Sequence, residues 1–476
     1  MKFPTSTRTH IALATSAALL LLTGPAFAQT NRYFDTSASA GLQGGAADWS
    51  ASAAVWQSTA APGDGDAPIL WSNGNTIAYF QTGASNTLTV IDRITARTIS
   101  ATDATSITGD TTGASLLTLG AAASGGAVSH TLPASVAFTG NLQLQWNPQN
   151  VLSQTLTLNN ANTHTGGTAI RFGTIAIGDN GALGTGPITL GKGARDSGNA
   201  DSNVSNIGLR STDATARTIT NDVSTRMGGT GGSTLGSAST GNLTFSGTFT
   251  LNGGWNLTVA NSQTTISGAL AGTNRTLTKL GAGTLVLSNA SNTLTGTLNA
   301  DAGVTQVDGG LASGLAVTVG TSGTLKGIGT IGGPLTINGK LAPGQSVGTL
   351  TATNNATING LYEAEVNTTA ADLLALTDAT NNTLTLGASS VLDVLGTLNT
   401  IDYTLATYGS LSGTFFDVKL NGVTQIAPTS FGGVGGTHTL VYGDDRIMLE
   451  YIPEPASFML LVAGTMLMLP RRRCII

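Results

Sequence analysis

Short runs in which apolar and polar residues alternate fill most of the chain. They include residues 155–158, 285–287, 315–319 and 384–386, and Gly or Asn interrupts them at short intervals. Alternation with a period of two, rich in β-branched residues, is typical of strands with one buried face. Between the two ends of the chain, no stretch of 12 residues combines a helical apolar stripe with caps. The pattern therefore predicts an all-β protein, with room for a turn of helix only at 370–375.

The chain also repeats itself. Residues 162–168 and 173–178 (NTHTGGT and GTIAIG) recur in variant form at 292–297 and 303–308 (NTLTGT and GVTQVD). Such repeats indicate stacked units that each bury a face on their neighbours. Leu, Ile and Val should point inward, Thr and Ser outward, and Asn and Gly should occupy corners that need left-handed backbone. We expect a solenoid of about 15 coils with roughly 22 residues in each.

Two further segments resemble a known repeat. They are residues 278–287 (TKLGAGTLVL) and residues 341–350 (LAPGQSVGTL). Both resemble the autotransporter-associated β-strand repeat, which occurs in the passenger domains of surface proteins. The likeness is close over roughly 275–400, good at 154–191 and weak at 195–274. It implies an all-β fold, a right-handed parallel β-helix with end caps.

The first 28 residues have the three parts of a secretory signal. Lys2 and Arg8 supply the positive start, residues 11–22 form an apolar run, and Ala26 and Ala28 supply the small residues of a cleavage site. The alternative is a membrane anchor, but about 12 apolar residues are too few to span a bilayer comfortably. Since there is no twin arginine, we expect export by the general secretion machinery.

The last 25 residues form a second targeting segment. A tripeptide is followed by 14 almost wholly apolar residues, 456–469, and then by Pro470 and three arginines. As a helix, the apolar stretch would be about 21 Å long, shorter than a hydrocarbon layer of about 30 Å. The arginines would stay on the cytoplasmic side and hold the chain briefly in the inner membrane. The tripeptide and the arginines are Pro453, Glu454, Pro455, Arg471, Arg472 and Arg473.

This end resembles the PEP-CTERM sorting signal of exported proteins in Gram-negative bacteria. The resemblance implies that an exosortase recognises and processes the chain near the tripeptide. It also implies a place in the cell envelope, on the outer surface or in the extracellular matrix, often beside exopolysaccharide. The chain departs from the family pattern at Pro470 and in ending on Cys-Ile-Ile after the arginines. The alternative is an ordinary C-terminal anchor.

Composition narrows the class of protein. Only 9% of the residues are charged and the net charge is -5, so no basic face is available for nucleic acid. A single cysteine, Cys474, excludes a disulfide framework. Since 40% of the residues are hydrophobic, the chain can build a core and wholesale disorder is disfavoured.

The chain divides into five predicted regions. Aromatic residues, Trp49, Trp56 and Trp71 among them, concentrate near the N-terminus, where they could cover the first coil or offer a sugar-stacking surface. The regions are 1–28, a signal peptide; 29–100, an aromatic-rich cap with the first coils; 101–360, the β-helix repeats; 361–451, a C-terminal capping β region; and 452–476, the sorting signal with its short apolar helix.

Candidate chemistry is sparse. Glu occurs only four times, and the adjacent acids Asp444 and Asp445 should point to opposite faces of a strand. We expect His130, His164 and His438 to be isolated surface residues without metal-ligand spacing. No catalytic residue, metal site or cofactor is predicted.

The function predicted is that of an exported, non-enzymatic structural or interaction protein of the cell surface or matrix. Its expected partners are the exosortase, the secretion machinery, and exopolysaccharide or surface glycans. Two alternatives stay open: a secreted carbohydrate-active β-helix enzyme, and an adhesin that binds glycans through the N-terminal aromatic residues.

Overall fold

A computed structural model of the chain describes residues 30–36, 43–58, 69–73, 76–81, 85–111, 113–120, 129–148, 153–191, 206–226, 232–378, 381–425, 430–433 and 436–453. The regular secondary structure of these residues consists of β-strands alone, and the strands form a β-solenoid of about 13 turns. The all-β parallel solenoid is therefore confirmed, with fewer turns than expected. No described helix has the length and apolar character needed to cross a membrane.

Several predicted features lie outside the described residues. They are the signal with Ala26 and Ala28, the apolar stretch 456–469, and five of the six sorting residues: Glu454, Pro455, Arg471, Arg472 and Arg473. Pro453 is described, as the last residue of the final strand.

The strands are numbered in chain order. The first group is β1 Thr30–Phe34, β2 Ala46–Trp49, β3 Ala54–Gln57, β4 Ile69–Leu70, β5 Thr76–Phe80, β6 Asn86–Val90, β7 Arg93–Ala96, β8 Thr98–Ala101, β9 Thr105–Gly109, β10 Leu116–Leu119, β11 Ser129–Thr131, β12 Val136–Gly140, β13 Gln143–Trp146, β14 Thr155–Leu158, β15 Thr168–Ile170 and β16 Gly173–Ile177. The second group is β17 Ile188–Gly191, β18 Ile207–Ser211, β19 Arg217–Ile219, β20 Val223–Arg226, β21 Gly232–Leu235, β22 Leu243–Phe245, β23 Phe249–Leu251, β24 Trp255–Val259, β25 Gln263–Ile266, β26 Leu270–Ala271, β27 Arg275–Leu280, β28 Thr284–Leu287, β29 Gly296–Val307, β30 Gly310–Leu311, β31 Leu315–Gly327 and β32 Thr330–Ile331. The third group is β33 Leu335–Ile337, β34 Lys340–Pro343, β35 Thr349–Ala352, β36 Ala356–Ile358, β37 Leu361–Glu365, β38 Leu373–Leu376, β39 Thr383–Leu386, β40 Val391–Leu395, β41 Tyr403–Thr407, β42 Ser410–Ser412, β43 Asp417–Leu420, β44 Val423–Thr424, β45 Ser430–Gly433, β46 Gly436–Tyr442 and β47 Arg446–Pro453.

Parallel pairing between successive coils organises the molecule. The largest sheet has 22 strands, from β11 to β44, and two sheets of eight strands run beside it. The long strands β29 and β31 each pair with two strands of a neighbouring coil, so the large sheet carries two ladders. Coil length varies: Thr168 pairs with Ile188, but Ile188 pairs with the distant Val223. This variation explains why there are fewer turns than an even division of the chain predicts.

The period of two places side chains as predicted. An inward column, buried throughout, passes from coil to coil through Leu277, Leu298, Val317, Leu335, Ala356 and Leu384. The next residues along these strands form an outward polar column of Thr278, Asn299, Thr318, Thr336, Thr357 and Thr385. Apolar burial in every coil thus supplies the core, while hydroxyl and amide groups cover this face.

Corner asparagines join three coils at a time. The side-chain oxygen of Asn292 accepts a hydrogen bond from the amide of Leu270 in the preceding coil, at 2.8 Å. Its nitrogen donates to the carbonyl of Gly310 in the following coil, at 2.9 Å. Asn162, the matching residue of the earlier repeat, makes the same two kinds of bond. Asparagine therefore holds the corners by bonding neighbouring coils.

Left-handed backbone at the corners belongs mainly to glycine. Gly296 has a φ of 112°, and a Cβ there would lie 2.3 Å from the carbonyl oxygen of Arg275. Among the described residues, only Asn206, Asn274 and Asn421 adopt positive φ without being glycine. The corner prediction is thus correct for glycine, while asparagine serves a different purpose at most corners.

The two ends close differently. At the N-terminal end, antiparallel β3 and β4 extend a sheet that also contains β1, β5 and β8. The rings of Trp49, Trp56 and Trp71 pack against one another there, with centroids 4.8–5.2 Å apart. All three are buried, so they close the core and present no sugar-stacking surface.

At the C-terminal end, parallel pairing continues past residue 360. The ladder β37–β40–β43 is still parallel, and antiparallel pairing begins only with β44 and with β45–β47. Residues 206–274, where the repeat is weak, also form parallel coils in the parts that are described. The turn of helix that the sequence left open at 370–375 does not form, because Leu373–Leu376 pairs as a strand with Thr349–Ala352.

One inward position carries a lysine. Lys279 lies on β27, where the alternation turns its side chain into the core, and it is fully buried. Its ammonium group donates to the backbone carbonyls of Gly281, Gly283 and Ala302. Burial lowers the pKa of Lys279 to about 8. The three N–H groups of the ammonium thus each have a carbonyl acceptor, at the turns of two successive coils.

We expect Lys279→Met to lower the free energy of unfolding by about 2–4 kcal/mol, because it leaves the three carbonyls without this donor. Lys419→Met is the matched control. Lys419 is half-exposed and, among the described residues, forms an ion pair only with Asp417, at 3.8 Å, so its loss should cost about 0.5 kcal/mol or less. Denaturant titration of both variants measures the difference, and equal stability would contradict a structural role for Lys279.

Candidate functional site

The histidines are not the isolated surface residues that the sequence predicted. His164 and His438 are fully buried, and His130 is half-buried. Nε2 of His164 lies 2.9 Å from the hydroxyl of Thr168, and burial lowers the pKa of His164 to about 4. Nε2 of His438 donates to the carbonyl of Ile401 at 3.0 Å. The prediction is wrong because these rings fill the interior of the coils, which the spacing of single histidines does not show.

Charged side chains gather instead on the outer face of the late coils. A cavity of about 250 Å³ is lined by five of them, together with residues 343–346 of the loop 343–348. The chain has only six lysines and four glutamates, and two of each are here. This group is called the charged cleft below. It consists of Lys326, Lys340, Glu363, Glu365 and Asp372.

Strand alternation brings these residues to one face. Glu363 and Glu365 lie two residues apart on β37 and point outward. Tyr362, just before Glu363, and Ala364, between the two glutamates, are buried. Lys326 lies on β31, and its register partner on β34 is Ala342, two residues beyond Lys340. Three successive coils therefore contribute to the cleft at spacings of about 4.8 Å along the rod.

The charges of the cleft are partly neutralised within it. Nζ of Lys340 lies 2.6 Å from a carboxylate oxygen of Glu363 on the next coil. Among the described residues, Lys326 and Glu365 form no ion pair within 4.0 Å. The cleft thus offers one ammonium and one carboxylate that remain available to a ligand.

Asp372 holds the loop that forms one wall. Its two carboxylate oxygens accept hydrogen bonds from the amides of Gly348, at 2.8 Å, and Glu365, at 2.9 Å. The side chain is almost fully buried. Burial raises the pKa of Asp372 to about 7; the two amides oppose the shift, and the charges of Glu365 and Glu363 add to it. Both oxygens serve the fold, so this carboxyl is a poor candidate for proton transfer to a substrate.

The loop itself requires glycine. Gly344 has a φ of 90°, and a Cβ there would lie 1.9 Å from the carbonyl oxygen of Ser346. Gly344 and Gly327 exchange two backbone hydrogen bonds, which fix the start of the loop to the preceding coil. The Pro-Gly of residues 341–350 therefore shapes a rigid wall.

A second cavity, of about 390 Å³, lies on the other side of the loop. It shares Ser346 and Glu365 with the charged cleft and adds Asn367, Leu395 and Gly396. The two cavities adjoin at these shared residues. No group of three His, Cys, Asp or Glu side chains in the described part of the chain is arranged to hold a metal ion.

The sequence did not reveal this site. Its few acidic residues predicted no catalytic or metal site, yet the structure brings Glu363, Glu365 and Asp372 together. One available signal was the Glu-x-Glu spacing in a chain with so few glutamates. The register that aligns Lys326 and Lys340 with them depends on coil lengths, which the sequence does not state.

Comparison with known proteins gives one match. Residues 153–177 and 277–307 match the family model described as passenger-associated-transport-repeat. The chain carries passenger-associated transport repeats. In the structure these segments contain β14–β16 and β27–β29, which all lie in the 22-stranded sheet except β15, a strand of an eight-stranded sheet. These repeats and the solenoid fit an exported, passenger-like surface protein of Gram-negative bacteria. No curated protein matches the chain.

We expect the ionisation of Asp372 to lower the free energy of unfolding of the protein as the pH rises from about 4 to about 7. Its folded-state pKa of about 7 lies above the ordinary value of 3.8, so the native state binds the proton more tightly over this interval. Asp372→Asn should abolish this part of the pH dependence and lower stability at pH 5, where Asp372 of the native protein is protonated, because one amide loses its acceptor.

The measurement is the thermal midpoint of both proteins at pH 5 and at pH 8. His164 titrates with the opposite sign, since its lowered pKa costs stability as the pH falls below 6.5, so the comparison between variants is needed. An equal change from pH 5 to pH 8 in both proteins would contradict the assignment.

Proposed function

We propose that the chain is an exported, non-enzymatic rod that works as a structural or interaction component of the cell surface or extracellular matrix. The observation that carries the proposal is the pair of passenger-associated transport repeats within a continuous parallel solenoid. Its interior is apolar and its outer ladder is made of Thr and Asn. A long polar surface with few charges suits contact with hydrated matrix material.

Export and sorting rest on the two ends of the sequence. Ala26 and Ala28 would direct cleavage of the signal, and the Pro-Glu-Pro tripeptide would direct processing by an exosortase. Pro453 is the last residue of β47, and the preceding Ile452 is 47% exposed. The tripeptide therefore begins at the last residue of the final strand, next to an exposed residue.

The non-enzymatic part of the proposal draws on the charged cleft. Asp372 has both oxygens engaged by amides, and Glu363 is paired with Lys340. Acid–base hydrolysis of a glycosidic bond needs two carboxyl groups free to exchange protons or attack the substrate. This arrangement favours binding over catalysis. Burial of the N-terminal tryptophans removes the support for an adhesin that uses those rings.

We expect the protein recovered from the cell surface to begin at Gln29 and to lack the residues after the Pro-Glu-Pro. Intact-mass measurement checks both ends at once. Retention of Arg471, Arg472 and Arg473 in the surface protein would contradict processing.

Replacing Pro453, Glu454 and Pro455 together by alanine should trap the chain in the inner membrane, because the apolar stretch and the arginines remain while the motif is lost. Membrane fractionation measures the distribution. Glu450→Ala, which removes an exposed acid from the same strand outside the motif, is the control and should reach the surface. Equal distribution of both variants would exclude recognition of the tripeptide.

A further inference from the structure

The charged cleft has the size and composition of a small-ligand site. We propose that it binds a segment of a neutral glycan, through Lys326, Lys340, Glu363 and Glu365 with the loop 343–348 as a wall. The inference deepens the proposed function, on which it rests, by naming the site and the class of partner. The two adjoining cavities, about 250 and 390 Å³, fall within the range of ligand pockets, about 300–1000 Å³, when occupied together.

The balance of charge selects a neutral partner. Two ammonium groups face two carboxylates, and the remaining acid, Asp372, holds its proton up to near-neutral pH. An anionic polymer would meet Glu363 and Glu365, while a cationic polymer would meet Lys326 and Lys340. Neither an anionic nor a cationic polymer therefore gains a net attraction across the whole cleft.

Sugar hydroxyls satisfy both kinds of charged group. A hydroxyl accepts a hydrogen bond from an ammonium group and donates one to a carboxylate, and such charge-assisted bonds are the strong ones. The cation of Lys326 and the anion of Glu365 form no ion pair among the described residues, so they are available for this purpose. Ser346 and Gln345 on the loop and Asn367 beyond it add neutral donors and acceptors.

The walls also offer apolar contacts for the C–H faces of a sugar ring. Ala342 and Pro343 line the first cavity, and Val347 lines the second. Ile328, at 52% exposed, stands beside the loop, since a Cβ on Gly348 would lie 3.1 Å from its side chain. The groove is thus amphipathic at the scale of one sugar unit.

The test uses the purified full chain, in native gels that contain a dissolved polymer. Dextran and a soluble β-glucan are the neutral probes, polygalacturonate is the anionic probe, and glycol chitosan is the cationic probe. We expect retardation by a neutral polymer, with an affinity that changes less than about twofold between low and high salt, because no net charge is neutralised.

Two substitutions locate the site. Lys326→Met and Glu365→Gln should each weaken binding about tenfold, and each removes an exposed or half-exposed group that the coils do not need. Lys419→Met and Glu450→Gln make the same chemical changes outside the cleft and should bind like the unaltered protein. Circular dichroism melting of all four variants checks that they fold.

Each result decides the inference. Absence of binding to both neutral polymers, preference for polygalacturonate or glycol chitosan, or equal binding by cleft and control variants would overturn it. New reducing ends that depend on Glu365 would support the site and overturn the non-enzymatic part of the proposed function. Failure of surface delivery in the sorting experiment would overturn the proposed function without affecting binding, so the two failures are distinguishable.

Discussion

In-register hydrogen bonding between parallel coils is the constraint on which the structure depends. Strands of the interior coils pair through their backbones with the coil before and the coil after. The order of the strands in the sequence is therefore also their order along the rod. Side chains then have only two directions, into the core or out to solvent. A column such as Leu277, Leu298 and Val317 stays apolar because every member meets the same interior.

The same constraint governs the polar groups inside the rod. A buried donor or acceptor must find a hydrogen-bond partner or its burial is costly, and neighbouring coils can supply one. Asn292 does so by bonding the coils on either side, and Lys279 does so with three carbonyls. These residues fix the distance and the register of their coils. The end coils lack a neighbour, and tryptophans at one end and antiparallel strands at the other take its place.

Because the outer surface of the coils carries few charged residues, a cluster of them distinguishes the coils on which it lies. Outward columns are mostly Thr and Asn, so the coils that carry Lys326, Lys340, Glu363 and Glu365 differ from the rest. The loop held by Asp372 rises beside them and turns a flat ladder into a groove. The site thus arises from the repeat itself, where one turn is reshaped without interrupting the ladders. A rod of this kind can gain a binding function while its core is unchanged.

The sequence by itself determined the class of secondary structure, the repeat and the direction of most side chains, because these follow from neighbours two residues apart. Runs such as Thr155–Leu158 and Thr383–Leu386 are strands as predicted. It did not determine the burial of His164, the inward Lys279 or the charged cleft. Those depend on which residues of different coils come to lie at the same height, and coil lengths vary along the chain. Only the tertiary structure decides that register, since it balances apolar burial over all coils at once.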